Sequence, residues 1–230
     1  MIFLAVFLGF LAENWREHVV DRRREKELMG ALVNDLRLDT SQLSNLLRWR
    51  NGRGTLLDST IQFYSTQNFL RVPLRAFEMS GQLFRLGFFY QNSGTLDQLK
   101  NAGDFRLIRC RQIIDSIEKY DREVKRMEKR DAAEGEQASR QRELVERLFD
   151  GKALSKIYTD SILFLGRNEG DFFRHSWLTI AVNPQYTDEY LNLLINFRTL
   201  WRQDTNVEAD LKDIATHLIG LIKKEYHLHG

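Results

Sequence analysis

Residues 183–221 read NPQYTDEYLNLLINFRTLWRQDTNVEADLKDIATHLIGL, and the spacing of their apolar side chains decides the fold. Asn183 can accept a hydrogen bond from a backbone N–H just ahead of it, and Pro184 has the φ of a first helical turn, so the pair opens a helix. Leu193, Phe197, Leu200, Asp204, Val207, Leu211, Ile214, Leu218 and Leu221 then follow at alternating four- and three-residue steps. Such a seam stays on one helix face for about eight turns, and only another long helix packed lengthwise can cover it. Asp204 is its one polar member.

The same spacing recurs after Leu107, in Ile113, Ile117, Tyr120, Val124 and Met127. A third apolar face, Leu28, Leu32, Leu36, Leu43, Leu46 and Leu47, lies in the segment that begins at Glu13. Three such faces predict an all-α chain folded as an elongated antiparallel bundle. Composition agrees, because a chain with 43% hydrophobic residues, 29% charged residues and only two prolines suits helices better than sheet or disorder. The 34 basic and 32 acidic side chains leave a net charge of +2, so no overall field draws the chain to nucleic acid. Cys110 is the only cysteine, which excludes an internal disulfide and a cysteine-based zinc site.

Residues 1–12, MIFLAVFLGFLA, carry no charged side chain, and Glu13-Asn14-Trp15-Arg16-Glu17-His18 ends the apolar run abruptly. This boundary predicts a membrane surface and divides the chain into a membrane-embedded helix, 1–14, incomplete at its start, and a helical body, 15–230. Phe3, Phe7 and Phe10 are the candidate lipid-facing residues. Trp15 stands where an interfacial aromatic belongs, with Arg16 beside it to reach head groups. Twelve helical residues rise about 18 Å, however, whereas a spanning helix needs about 20 residues to cross about 30 Å of hydrocarbon. Three placements fit: the distal part of a longer membrane helix, the apolar region of a secretory signal, or a helix sheltered in the core of a partner. A signal is opposed by the lack of a basic start and of a small-x-small cleavage site. Arg16, Arg22, Arg23, Arg24 and Lys26 follow the run, which by the positive-inside rule puts the body in the cytoplasm, and basic residues further upstream would reverse this. Glu17, Asp21, Glu25 and Glu27 interleave with that basic run and make it a solvated helix face.

Within the body, Asn51-Gly52-Arg53-Gly54 predicts a break, with Thr55 capping the next helix. Pro73 opens a further helix through Leu74, Phe77, Met79, Leu83, Phe84 and Leu86, ending near Gly87. Thr95 with Gln98 reads as a capping box for a short helix closed by Gly103. The stripe of the helix from Leu107 lapses between Glu128 and Arg142, which predicts the exposed tip of a helical hairpin. Residues 151–182 predict short helices packed across the bundle.

No set of residues assembles a catalytic, cofactor or metal site. Glu-x-x-His, GxxxxGK[ST], GxGxxG and GxSxG are all absent. Asp210, Asp213 and His217 share a helix face and read as an exposed polar stripe, and Cys110 reads as a small packed thiol. Phe84, Phe88, Phe89 and Tyr90 form a dense aromatic cluster, a candidate interaction surface or piece of core.

The order of features, Glu13-Asn14-Trp15-Arg16-Glu17 after an apolar helix, then Gly94-Thr95-Leu96, Leu99, Ala102-Gly103 and Leu107-Ile108, resembles an uncharacterised family of bacterial single-helix membrane-anchored helical proteins, a domain of unknown function. Members of that family look as though a full transmembrane helix follows a basic segment, and this chain departs from them by starting inside the helix. The resemblance implies residence in the bacterial inner membrane, single-pass or half-inserted, and implies no activity. Together these features predict a non-catalytic membrane-anchored interaction protein, in contact with membrane lipid and with other membrane-protein subunits or copies of itself, such as an accessory subunit of a larger complex. The alternative is a membrane-tethered sensor that binds a small ligand between its helices.

Overall fold

The structure, a computed structural model, describes residues 2–66, 70–83, 85–160 and 178–228. Phe84 and most of the stretch expected to form short crossing helices, 161–177, lie outside the described residues. The element order is α1 (Ile2–Ser65), β1 (Arg71–Pro73), α2 (Leu74–Gln82), α3 (Gly94–Asn101), α4 (Arg111–Leu148), α5 (Gly151–Asp160), β2 (Thr179–Ala181) and α6 (Thr187–Tyr226). The chain is therefore all-α apart from one short ribbon, in which Arg71, Val72 and Pro73 pair antiparallel with Ala181, Ile180 and Thr179. Val72 and Ile180 point into the core and are fully buried.

The break expected at Asn51–Gly54 does not occur, because α1 continues through it to Ser65. A helical glycine costs about 1 kcal/mol relative to alanine, and the apolar face on either side more than offsets two of them. Leu43, Leu46 and Arg50 are buried before the glycines, and Leu57, Thr60 and Tyr64 after them. The Trp201 ring lies against Gly54, and its Nε1 donates to the Arg50 carbonyl at 3.1 Å.

α2 stops at Gln82, short of the expected end near Gly87. Gly87 passes so close to α1 that a Cβ there would lie 2.8 Å from Leu46 Cδ1 and 3.0 Å from Trp49. A helix carrying side chains could not occupy that track. α3 is capped two residues earlier than its sequence suggests, at Ser93 rather than Thr95, and no side chain of its own caps it. Asp35 of α1 does part of that work by accepting from the Thr95 N–H at 3.1 Å. Gly103 closes the segment at φ +69°, a left-handed conformation that favours glycine. A 3-10 turn, Asp104–Leu107, follows, so α4 starts at Arg111 rather than Leu107.

The exposed hairpin tip expected between Glu128 and Arg142 is also corrected. α4 runs straight through this stretch, and Glu134, Ala138 and Gln141 are buried. Ile113, Ile117, Tyr120, Val124, Met127, Asp131, Glu134, Ala138, Gln141, Val145 and Leu148 keep the four-three spacing without interruption. The stripe had turned polar without turning outward.

The chain divides into two compact units. One comprises Met1–Asn45, Phe89–Arg126 and Glu208–Gly230. In it, carboxylates of α1 hold the segment around α3. Asp39, 1% exposed, accepts from the Asn92 N–H and Nδ2 at 2.8 Å each and from the Tyr120 hydroxyl at 2.7 Å. Glu25 accepts from the Arg109 N–H at 3.0 Å and the Tyr226 hydroxyl at 2.7 Å. Each bond satisfies a group that would cost about 1–3 kcal/mol if buried without a partner. The other unit comprises Leu46–Phe88 and Met127–Val207, with a core around Leu57, Tyr64, Leu148, Ile180, Tyr190 and Phe197.

Candidate functional site

The first turns of α1 hold the largest side chains the fold leaves uncovered. Phe3 is 84% exposed, Phe10 70% and Trp15 74%, and Val6, Phe7, Leu8 and Leu11 are exposed with them. Seven large apolar side chains exposed within 13 residues of one helix form an apolar surface of the kind that soluble monomers rarely show. Polar chemistry starts at Glu13, whose carboxylate is held by Arg16 at 2.5 Å. The Arg16 hydrogen bond holds the Glu13 carboxyl below the usual carboxylate range, although the pair is fully solvated and contributes little to stability. No described helix is long and apolar enough to cross a membrane. The reason is visible in α1, where any 18-residue window over the apolar run takes in Glu13, Arg16 and Glu17.

The four aromatic residues singled out from sequence are placed differently. Phe89 is buried, Phe88 and Tyr90 are exposed, and Phe84 lies outside the described residues. Asp210, Asp213 and His217 are exposed on α6, and Cys110 is half-buried. Among the described residues, no group of three or more His, Cys, Asp and Glu side chains could hold a metal ion.

A buried ionic cluster, which the sequence did not disclose, occupies the unit built on Leu46–Phe88 and Met127–Val207. Arg50 of α1 and Glu134 of α4 are both completely buried and form a two-pronged pair, with N–H to carboxylate distances of 2.9 and 2.8 Å. The Arg50 guanidinium also lies over the Trp201 ring, 4.7 Å from its centroid. Trp201 in turn packs against Trp49 at 5.4 Å. Asp204, the polar member of the α6 seam, accepts from Arg130 Nε through Oδ1 at 2.5 Å, and its Oδ2 is buried with no hydrogen-bond partner. One signal could have found the cluster: extending the α4 spacing past Met127 lands on Asp131, Glu134 and Gln141, and then on Val145.

No family model, curated protein or solved structure matches the chain.

Three carboxylates, Asp131, Glu134 and Asp204, thus face two guanidinium groups, Arg50 and Arg130, and Asp131 relieves the surplus negative charge by holding its proton most tightly. Burial first, and then the Glu134, Asp204 and Glu128 charges, push the Asp131 carboxyl up to about 7, against the pull of Arg50. Because its folded value lies above its unfolded one, Asp131 contributes stability that is fully present below about pH 4 and is lost as pH rises through about 7. The D131N variant keeps the hydrogen-bonding shape without the charge. It is expected to melt higher than the parent at pH 8 and to be nearly equal to it at pH 4, measured by circular dichroism. A parent midpoint that does not fall between pH 4 and 8 relative to D131N would contradict the assignment.

The groove beside this cluster, about 250 Å³, is lined by Asn51, Thr55, Asp58, Arg198, Arg202 and Asn206 over Trp201. Asp58 is taken up by a two-pronged pair with Arg198, at 2.5 and 3.0 Å. The groove is therefore polar and open, with no nucleophile and base set against each other.

Proposed function

We propose that this chain is a non-catalytic, membrane-attached interaction protein of the bacterial inner membrane, in which α1 enters the bilayer through its apolar first turns and the helical body holds or spaces neighbouring membrane subunits. The observation that carries this reading is the uncovered surface of Phe3, Phe7, Phe10 and Trp15. Its apolar side chains are spread widely around the helix, which suits lipid better than a groove that grips one face. Residues 2–12 rise about 16 Å, close to one leaflet of a hydrocarbon core of about 30 Å. The run therefore inserts halfway or forms part of a longer helix. Trp15 and Arg16 then lie at head-group level, and the positive-inside rule applied to Arg22, Arg23, Arg24 and Lys26 favours a cytoplasmic body, a preference that basic residues upstream of the run would reverse. The resemblance to membrane-anchored helical proteins of unknown function agrees with this reading. So do the three long helices α1, α4 and α6, with exposed Phe88 and Tyr90 as candidate contacts for a subunit.

The alternative, a tethered sensor of a small ligand, is favoured by one observation, the polar groove over Trp201. Purification of the native protein in mild detergent separates the two. A membrane-protein partner at fixed stoichiometry is the expected result. A monomer that carries a small molecule would overturn the first reading in favour of the second.

A further inference from the structure

Immediately beyond the apolar run, Trp15, His18, Val19 and Arg22 of α1 and Arg109, which follows the 3-10 turn, line a pocket of about 250 Å³. We propose that this pocket binds the phosphodiester head group of an anionic phospholipid, a proposal that rests on the membrane attachment of α1.

The residues are ordered for that ligand. Trp15, His18, Val19 and Arg22 are spaced three or four apart and so share one face of α1. Trp15 and Val19, both more than half exposed, give the pocket an apolar wall on the side of the Phe3–Leu11 surface. Arg22 marks the polar end. Helical side chains lean toward the N-terminus, which turns the Arg22 guanidinium back toward the apolar run.

Arg109 supplies a second guanidinium from a different part of the chain, and its position is fixed by its backbone. The Arg109 N–H donates to Glu25 Oε1 at 3.0 Å, and the same oxygen accepts from the Tyr226 hydroxyl at 2.7 Å. Glu25 is thereby occupied and buried, one turn beyond Arg22. Neighbouring basic residues are committed elsewhere: Arg16 to Glu13, Arg23 to Glu27 and Arg24 to Asp104. Among the described ion pairs, neither Arg22 nor Arg109 has an acidic partner, and neither Glu17 nor Asp21 lines the pocket. Two guanidinium groups and an imidazole lining one pocket with a tryptophan suit a single phosphate, which accepts two-pronged bonds from arginine.

The test is flotation of the full chain with vesicles of phosphatidylcholine alone and vesicles containing phosphatidylglycerol, for the parent, R22Q/R109Q, R22K/R109K and F7D/F10D. Arg22 and Arg109 are exposed, and equal melting of parent and variants by circular dichroism confirms that their folds are equivalent. The parent is expected to bind the anionic vesicles about 30-fold more tightly than the neutral ones, at about a tenfold gain or less for each arginine. R22Q/R109Q loses that preference while its binding to phosphatidylcholine is unchanged, and R22K/R109K restores part of it. Free glycerol phosphate at millimolar concentration leaves parent binding unchanged if the ligand is a lipid, and competes if the pocket takes a soluble phosphate, which would overturn the assignment to lipid. A parent that binds both vesicles equally, or an R22Q/R109Q variant that keeps the preference, overturns the head-group site and leaves membrane attachment standing. A parent that binds neither vesicle overturns both.

Discussion

Arg50→Leu is expected to lower the thermal midpoint by on the order of 10 °C, one of the two largest single effects anticipated in this chain. The substitution leaves Glu134 fully buried with its two strongest donors gone and strips the cation from the face of Trp201. Breaking a buried ion pair from one side costs about 3–5 kcal/mol, and for a chain of this size each kcal/mol moves the midpoint by about 2–4 °C. Glu134→Leu is expected to cost a similar amount, since it strands the guanidinium instead. The double substitution R50L/E134L removes both charges, and it is expected to melt closer to the parent than either single variant does. Scanning calorimetry of the four proteins checks this. Additive losses in the double variant would show that the two side chains do not act as a pair.

The ionic cluster is also where sequence and structure part company, and the cause is specific. A seam is recognised by apolar letters, and α4 replaces them with Asp131, Glu134 and Gln141 for three turns, so the periodicity vanishes although the geometry is unchanged. What covers those polar groups is Arg50, which lies far away in sequence and itself reads as a surface residue. Asn51–Gly54 misled for a related reason. Local propensity favours a turn there, and tertiary burial of Leu57 and Tyr64 overrides it. The β1–β2 ribbon depends on pairing across more than a hundred residues, for which three-residue strands leave no local trace.

The long helices were legible to the degree that their seams are apolar. Phe197, Asp204, Val207, Leu211 and Leu218 were placed correctly among the buried residues of α6. The remaining seam positions belong to Tyr190, Leu194, Trp201, Glu208, Ala215 and Ile222, rather than to Leu193, Leu200, Ile214 and Leu221. Two registers with the same four-three spacing share Phe197, Asp204, Leu211 and Leu218, and counting aliphatic side chains selected the wrong one, because the true seam carries Tyr190, Trp201 and Glu208. The apolar run at the start of α1 was legible as a charge-free helical stretch, since its signal is the absence of charge rather than a period.

That run supports the second large effect. Phe7 and Phe10 are exposed on α1 and do not belong to the core, so F7D/F10D is expected to melt at the parent temperature. Each phenylalanine transferred from water to lipid contributes about 1.5–3 kcal/mol, so losing both lowers membrane partitioning by on the order of 10²–10⁴-fold, before the cost of bringing two carboxylates to the surface is counted. Membrane attachment through these turns is the central claim, and vesicle flotation of the parent and F7D/F10D tests it most directly. The account predicts that the parent floats with phosphatidylcholine vesicles and that the equally folded variant stays at the bottom of the gradient. A parent that remains at the bottom, or a variant that floats as well as the parent, would contradict it.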